Sequence, residues 1–459
     1  MINKYLSELL DYGLRKEMIA PEDECYIANR ILNLVGAASF EREKTVSHES
    51  LETILSGLCD IAFENGALEQ NTVTYRDILS AEIMDYFTPT PGNLVRTFWE
   101  AYEKAPENAT DFFYELSQNS NYIMTDRVKR DLKWKTDTSY GELDITINLS
   151  KPEKDPKDIA AAKNAVQTGY PKCLLCPENV GFRGNANHPP RANHRIIPIE
   201  LCGEKWALQY SPYVYYNEHC ILLNQSHTPM KINRATFSKL LHFVEKFPHY
   251  FIGSNADLPI VGGSILTHDH FQGGNYEFPM AKCGSRFEVE FVGFSNVKAY
   301  VVDWALSTIR LIGDSIDDLC DLGDKILTTW RTYSDESCDI LAHTDAPHNT
   351  ITPIARYRDG NFELDLILRN NRTTEEYPLG IFHPHSEYHH IKKENIGLIE
   401  AMGLAVLPAR LKTELGELTD SKKEEVGQIF MKILENCGVY KNTEAGNNGI
   451  KKFIAAVNC

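Results

Sequence analysis

The run Gly262-Gly263-Ser264-Ile265-Leu266-Thr267-His268-Asp269-His270-Phe271-Gln272-Gly273-Gly274 carries more chemistry than any other part of the chain. Two imidazoles and an amide recur at every second position, between two glycine pairs. Apolar and β-branched residues lead into them, so the run reads as one strand ending at the second glycine pair. Side chains alternate between the faces of a strand. His268, His270 and Gln272 then share one face, and Asp269 and Phe271 lie on the other. The flanking glycines are expected to let a ligand approach backbone N–H groups. Such a face suits holding a phosphate and attacking it. A lone His-x-His commonly marks only the wet side of a strand; the longer pattern and its paired glycines favour a site.

The chain around this run has 459 residues, more than one core usually supports, so two or more packed units are expected. Its hydrophobic share of 42% and charged share of 24% are those of an ordinary soluble globular protein. A net charge of −17 opposes nonspecific nucleic-acid binding and attraction to anionic membranes. An anionic substrate then needs a local cluster of Lys, Arg or backbone donors. The start, Met1-Ile2-Asn3-Lys4-Tyr5, has no signal-peptide pattern, and no apolar run reaches the length of a membrane span. Eleven cysteines without an export signal point to a reducing, cytoplasmic setting, with most thiols buried as small apolar groups.

Outward from the central run, residues 1 to about 125 read as helical. Leu6, Leu9, Leu10 and Leu14 have helical spacing, and Pro21 followed by Glu22, Asp23 and Glu24 can open a helix. The basic residues of 126–135 are a solvated face or an arm toward a phosphate. Tyr140 to Leu149 alternates as a strand, and the polar 151–157 reads as a loop. Val214 to Leu223 reads as another strand, with Tyr215, Asn217 and His219 on one face. A helix capped by Asn233 follows, with Phe237, Leu240, Leu241, Val244 and Phe247 on one stripe. Ser315 to Trp330 and Asn395 to Leu407 also read as helices. The strand Phe362–Leu368 separates Arg356 from Arg369 and Arg372, which could clamp a phosphate or ribose. His383 and His385 head the densest histidine group, and Lys392 beside it suits an anion better than a metal.

Cys173-Leu174-Leu175-Cys176 can place two thiolates on one metal ion, or serve as a redox pair, or be incidental. No second Cys-x-x-Cys follows, so this is not a zinc ribbon. Further metal ligands would have to be distant histidines.

His268-x-His270-x-Gln272 resembles the active-site signature of the galactose-1-phosphate uridylyltransferase branch of the histidine-triad superfamily. The runs Tyr140–Ser150, His348–Arg356 and Gly380–His385 resemble the divergent second type of that family, and the resemblance covers nearly the whole chain. It implies an α/β (α+β), histidine-triad-like fold: mostly antiparallel sheets with flanking helices, preceded by a helical N-terminal region. The expected segments are 1–130, 131–285 (a first half with the Cys-x-x-Cys and H-x-H-x-Q) and 286–459 (a second half completing the substrate site).

The resemblance implies His270 as a nucleophile forming a uridylyl-histidine, with Gln272 as a hydrogen-bond donor to the phosphate. An amide cannot exchange protons at working pH, which favours transfer over hydrolysis. Asn255, Ser264, Gly273 and Glu400 join Arg356, Arg369, Arg372, His383, His385 and Lys392 as substrate-binding candidates. Structural zinc is implied on Cys173, Cys176, His227 and His268, with His219 a rival for the third position. The expected partners are UDP-glucose and galactose 1-phosphate, without nucleic acid or membrane, in a homodimer. A related nucleotide phosphorylase or adenylyltransferase and a zinc-stabilised binding protein without turnover are the alternatives.

Overall fold

The computed structural model describes residues 1–44, 46–150, 169–263 and 265–459; the expected binding residue Ser264 and the expected loop 151–157 lie outside the described residues. The described chain forms two compact units that interleave along the sequence. One comprises Met1–Arg130, Ser150–Pro198 and Ala207–Val214. The other comprises Asp131–Leu149, Ile199–Trp206 and Tyr215–Cys459.

The first unit is built on helices α1 (Ile2–Arg15), α2 (Glu24–Val35), α3 (Leu51–Glu64), α4 (Val73–Asp85), α5 (Pro91–Tyr102) and α6 (Pro106–Asn119). The apolar stripes of α1–α4 close on one another: Leu6, Leu9, Ile31, Val35, Leu58 and Ile83 belong to one buried cluster. Each such side chain contributes about 1.5–3 kcal/mol when fully buried. Pro21 opens a 3-10 turn, Pro21–Asp23, that leads directly into α2. The later segment is tied in by Arg195, whose buried guanidinium donates to the Pro89 carbonyl at 2.7 Å and to Asp85 at 2.7 Å. The basic stretch after α6 is mostly neutralised: Arg127 pairs with Asp77 at 2.8 Å, Arg130 with Glu52 at 2.6 Å, and Lys129 with Asp126. Each of those three cations has a carboxylate at contact distance.

The second unit contains strands β1 (Leu132–Thr138), β2 (Gly141–Ile147), β3 (Ile197–Leu201), β4 (Glu204–Tyr210) and β5 (Cys220–Asn224), although β3 begins and β4 ends in the first unit. Helix α7 (Arg234–Lys246) precedes β6 (Phe251–Gly253) and β7 (His270–Gly274). Then come β8 (Ser285–Val289), β9 (Lys298–Val302), β10 (Thr308–Gly313), α8 (Ile316–Thr332), β11 (Asn349–Arg358), β12 (Asn361–Asn370) and β13 (Leu404–Leu407). Helices α9 (Asp420–Cys437) and α10 (Glu444–Asn458) end the chain. One sheet has the order β3-β4-β5-β7-β6-β11-β12-β10-β9-β8, and a smaller one the order β1-β2-β13. The pairings β5/β7, β7/β6, β6/β11, β11/β12, β12/β10, β10/β9 and β9/β8 are antiparallel; β13 runs parallel to β2.

Helix α7 starts where Asn233 predicts, with its side-chain oxygen accepting from the Thr236 N–H. Its stripe Phe237, Leu240, Leu241 and Val244 is fully buried, and it packs on β11 and α8. Three expectations are corrected. The central strand begins only at His270, so His268 precedes it. Residues 214–219 are not in a strand, and the strand there starts at Cys220. Asn395 to Leu407 is no single helix: a turn at Leu398–Ala401 is followed by Gly403 at φ +105°, which ends it, and by β13. Of the eleven cysteines, five are buried, three are half-buried and three (Cys25, Cys202 and Cys459) are exposed, and none is in a disulfide. No helix among the described residues is long and apolar enough to cross a membrane.

Candidate active site

Strand β7 sits in the interior of its sheet, between β5 and β6. Its register sets Leu223 opposite His270, Leu222 opposite Phe271 and Ile221 opposite Gln272. His270 and Gln272 therefore share a face, while Phe271 turns away and stacks on Trp206, centroids 4.7 Å apart.

His270 Nδ1 lies 2.8 Å from the His268 carbonyl. A carbonyl can only accept, so Nδ1 carries the proton and Nε2 holds the lone pair. Among the described residues Nε2 has no hydrogen-bond partner. Burial pushes the His270 pKa down to about 4, which keeps the ring neutral near pH 7. A neutral imidazole with an unengaged Nε2 is a competent nucleophile toward phosphorus.

The stretch before β7 is held by backbone bonds rather than by strand pairing alone. Asn224 N–H donates to Asp269 O at 3.0 Å, Asp269 N–H to Thr228 O at 2.7 Å, and Met230 N–H to Leu266 O at 2.9 Å. His268 Nε2–H donates to the Asn224 carbonyl at 2.7 Å, so a metal ion would have to be met by Nδ1. The ligand atoms of Cys173, Cys176, His227 and His268 all lie within 4.8 Å of one another. Cys2His2 is a donor set suited to a four-coordinate ion with no open position. The Sγ atoms of the two cysteines are 3.5 Å apart, and Asn179 donates to both their carbonyls at 2.8 Å while it contacts His188 Nε2 at 2.6 Å. Burial and the neighbouring Cys173 push the Cys176 thiol up to about 11. A bound cation would reverse that shift, because metal ligation takes the thiolate. His219, the rival ligand, is not in this group; its Nε2 lies 3.2 Å from Gln272 Oε1.

The other expected substrate residues are placed less simply. Arg356 is buried, with Nη1 2.8 Å from Glu363 and Nη2 2.7 Å from Asp365; Arg310 takes the same Asp365 carboxylate at 2.6 and 2.9 Å. In this four-residue ion group the Arg356 charge is matched by carboxylates. Arg369 is fully buried and donates to the Ile396 carbonyl at 2.7 Å, and among the described residues its Nε has no partner. Arg372 donates to the Asp339 carbonyl at 2.8 Å. Lys392 and Glu400 pair with each other at 3.0 Å, and Lys392 also donates to the Val406 carbonyl. Asn255 accepts from the Leu398 N–H at 2.9 Å. His383 and His385 bond the carbonyls of Pro384 and Ile381, at 3.2 and 3.1 Å. At Gly273 a Cβ would lie 2.6 Å from the Phe251 carbonyl of β6. Residue-by-residue reading missed Arg310 and Asp365, whose only signal was the rarity of charge in strands as apolar as β10 and β12.

Two family models match the chain. The one described as "Galactose-1-phosphate uridyl transferase, N-terminal domain" matches residues 17–229, and its C-terminal counterpart matches residues 243–434. Galactose-1-phosphate uridylyltransferase of Clostridium perfringens is 48% identical, over 100% of this chain and 99% of its own. The Bacillus subtilis protein of the same name is 48% identical, over 99% and 97%. Galactose-1-phosphate uridylyltransferase 2 of Streptococcus pneumoniae is 48% identical, over 100% and 99%. Among solved structures, yeast Ap4A phosphorylase Apa2 aligns at a TM-score of 0.37 with 12% identity, over 75% of this chain and 94% of that one.

Proposed function

The chain belongs to the galactose-1-phosphate uridylyltransferase family, and we propose that it moves a uridylyl group between UDP-glucose and galactose 1-phosphate by double displacement on His270. Nε2 attacks the α-phosphorus of UDP-glucose. The bond from that phosphorus to the bridging oxygen breaks, glucose 1-phosphate leaves with the electron pair, and a uridylyl-histidine remains. An oxygen of galactose 1-phosphate then attacks the same phosphorus and His270 departs with its lone pair restored, giving UDP-galactose. Both attacking groups are already unprotonated, so positioning and charge stabilisation carry most of the rate. Gln272 donates from its amide to a nonbridging oxygen and takes no proton.

The observation that carries this reading is the 2.8 Å bond from His270 Nδ1 to the His268 carbonyl, which presents Nε2 as the nucleophile. Zinc on Cys173, Cys176, His227 and His268 is structural in the same proposal, and the His268 carbonyl then ties the nucleophile to a metal ligand. Arg356, Arg369, Arg372, His383, His385, Lys392, Glu400, Asn255, Ser264 and Gly273 are proposed as the substrate-binding residues. A homodimer is proposed from the family alone.

Intact-mass spectrometry with UDP-glucose and no acceptor tests the reading. It expects a uridylyl adduct that is absent in His270→Ala and is discharged by galactose 1-phosphate. Accumulating UMP without an adduct would mean hydrolysis and overturn it. An adduct formed only with adenine nucleotides would move the assignment to a related nucleotidyl transfer.

A further inference from the structure

His219 closes the back of the Gln272 side chain. It is the residue before β5, buried to 2% exposure, and its ring lies against Tyr216, centroids 4.5 Å apart, and Tyr215 at 5.4 Å. Its Nε2 contacts Gln272 Oε1 at 3.2 Å, and among the described residues its buried Nδ1 has no partner. Two proton arrangements fit those positions. In one, Nε2–H donates to Oε1 and Nδ1 is a bare lone pair. In the other, the amide is turned so that its NH2 donates to Nε2, and an Nδ1–H is left buried without an acceptor. An orphaned buried donor is rarer and costlier than an under-used acceptor, so the first arrangement is favoured.

We propose that His219 is a positioning residue for the transfer: its Nε2–H captures Gln272 Oε1, so that the amide NH2 is turned toward the nonbridging oxygens of the α-phosphate. This rests on the uridylyl-transfer reading above. A glutamine amide has nearly equal halves and can present either to a substrate. Turned the wrong way, its oxygen would face the phosphate anion and repel it. His219 removes that choice. Among the described residues the Gln272 NH2 group has no other partner, which leaves it for the substrate. Burial pushes the His219 pKa down to about 4, so the ring stays neutral and brings no charge of its own near the phosphate.

The test is the single-turnover rate of adduct formation from UDP-glucose. His219→Met keeps the size of the side chain and removes the donor. His219→Gln restores an N–H near the place of Nε2. His219→Met is expected to slow adduct formation about tenfold or more while shifting the UDP-glucose KM by less than about threefold; His219→Gln returns to within about threefold of wild type. In a Gln272→Met background the same His219→Met change should cost less than about twofold, because the amide it orients is gone. If His219→Met does not fold, His219→Asn against His219→Gln carries the comparison, since the shorter amide does not reach Oε1. An equal loss in both backgrounds, or a His219→Gln variant as slow as His219→Met or His219→Asn, overturns the positioning role while wild type still forms the adduct. A wild-type chain that forms no adduct overturns the parent reading instead, and this one with it.

Discussion

Asp365 shows how much a single residue depends on partners that sequence spacing does not reveal. Its carboxylate, fully buried, accepts from Arg310 and Arg356. Desolvation alone would raise its pKa, but the two guanidinium groups outweigh it and hold the carboxyl at about 2. Removing one member of such a group leaves buried charge uncompensated, so Asp365→Asn is expected to destabilise the chain by about 3–5 kcal/mol, read from urea midpoints at pH 7. The folded pKa lies below the unfolded value of about 3.9, so the contribution is fully present above about pH 4 and is lost as pH falls toward 2. The gap between wild type and Asp365→Asn should therefore narrow over that window; a constant gap would contradict the assignment. Arg356 was legible in the sequence as a cation beside a strand. Its carboxylate partners, at 363 and 365, became visible only once the β11/β12 register set Arg356 opposite Glu363.

At the scale of elements, strong periodicity and caps were readable and short apolar runs were not. The stripe and Asn233 cap of α7 are as expected, and Asn233→Ala should cost about 1 kcal/mol in thermal unfolding without changing the rate of adduct formation. Ile265 and Leu266 extend the apolar lead of β7 in the sequence, yet the backbones of Leu266 and Asp269 are engaged with the 224–230 segment instead. Leu404–Leu407 was read as the end of a helix because four apolar residues fit either period; its parallel pairing with β2 decides for a strand. Gly273 gives clearance between strands, where a Cβ would meet the Phe251 carbonyl. Gly273→Ala should force β6 and β7 apart and lower stability by about 1–3 kcal/mol, seen as a lower melting midpoint with slower adduct formation. An unchanged midpoint would show that β6 yields without cost.

At the scale of the whole molecule, the two compact units are each assembled from three separated segments, whereas the sequence was divided into three consecutive ones. The Cys2His2 group draws on positions 173, 176, 227 and 268, and elemental analysis is expected to find about one zinc per chain. Chelation, or Cys176→Ser, should lower the melting midpoint and slow adduct formation together, because metal-binding free energy is folding free energy and His268 holds the His270 proton. A metal-free chain that melts unchanged would refute a structural ion. The sequence by itself determined the helical first region, the antiparallel character of the main sheet, the His270/Gln272 face and the family, because alternation, helical stripes and residue chemistry are local properties. Only the tertiary structure decided that His219 serves Gln272 rather than the metal group, that Arg356 faces carboxylates, and which imidazole nitrogen is left unprotonated. Hydrogen-bond partners and desolvation come from residues remote in the chain, and no spacing along the chain encodes them.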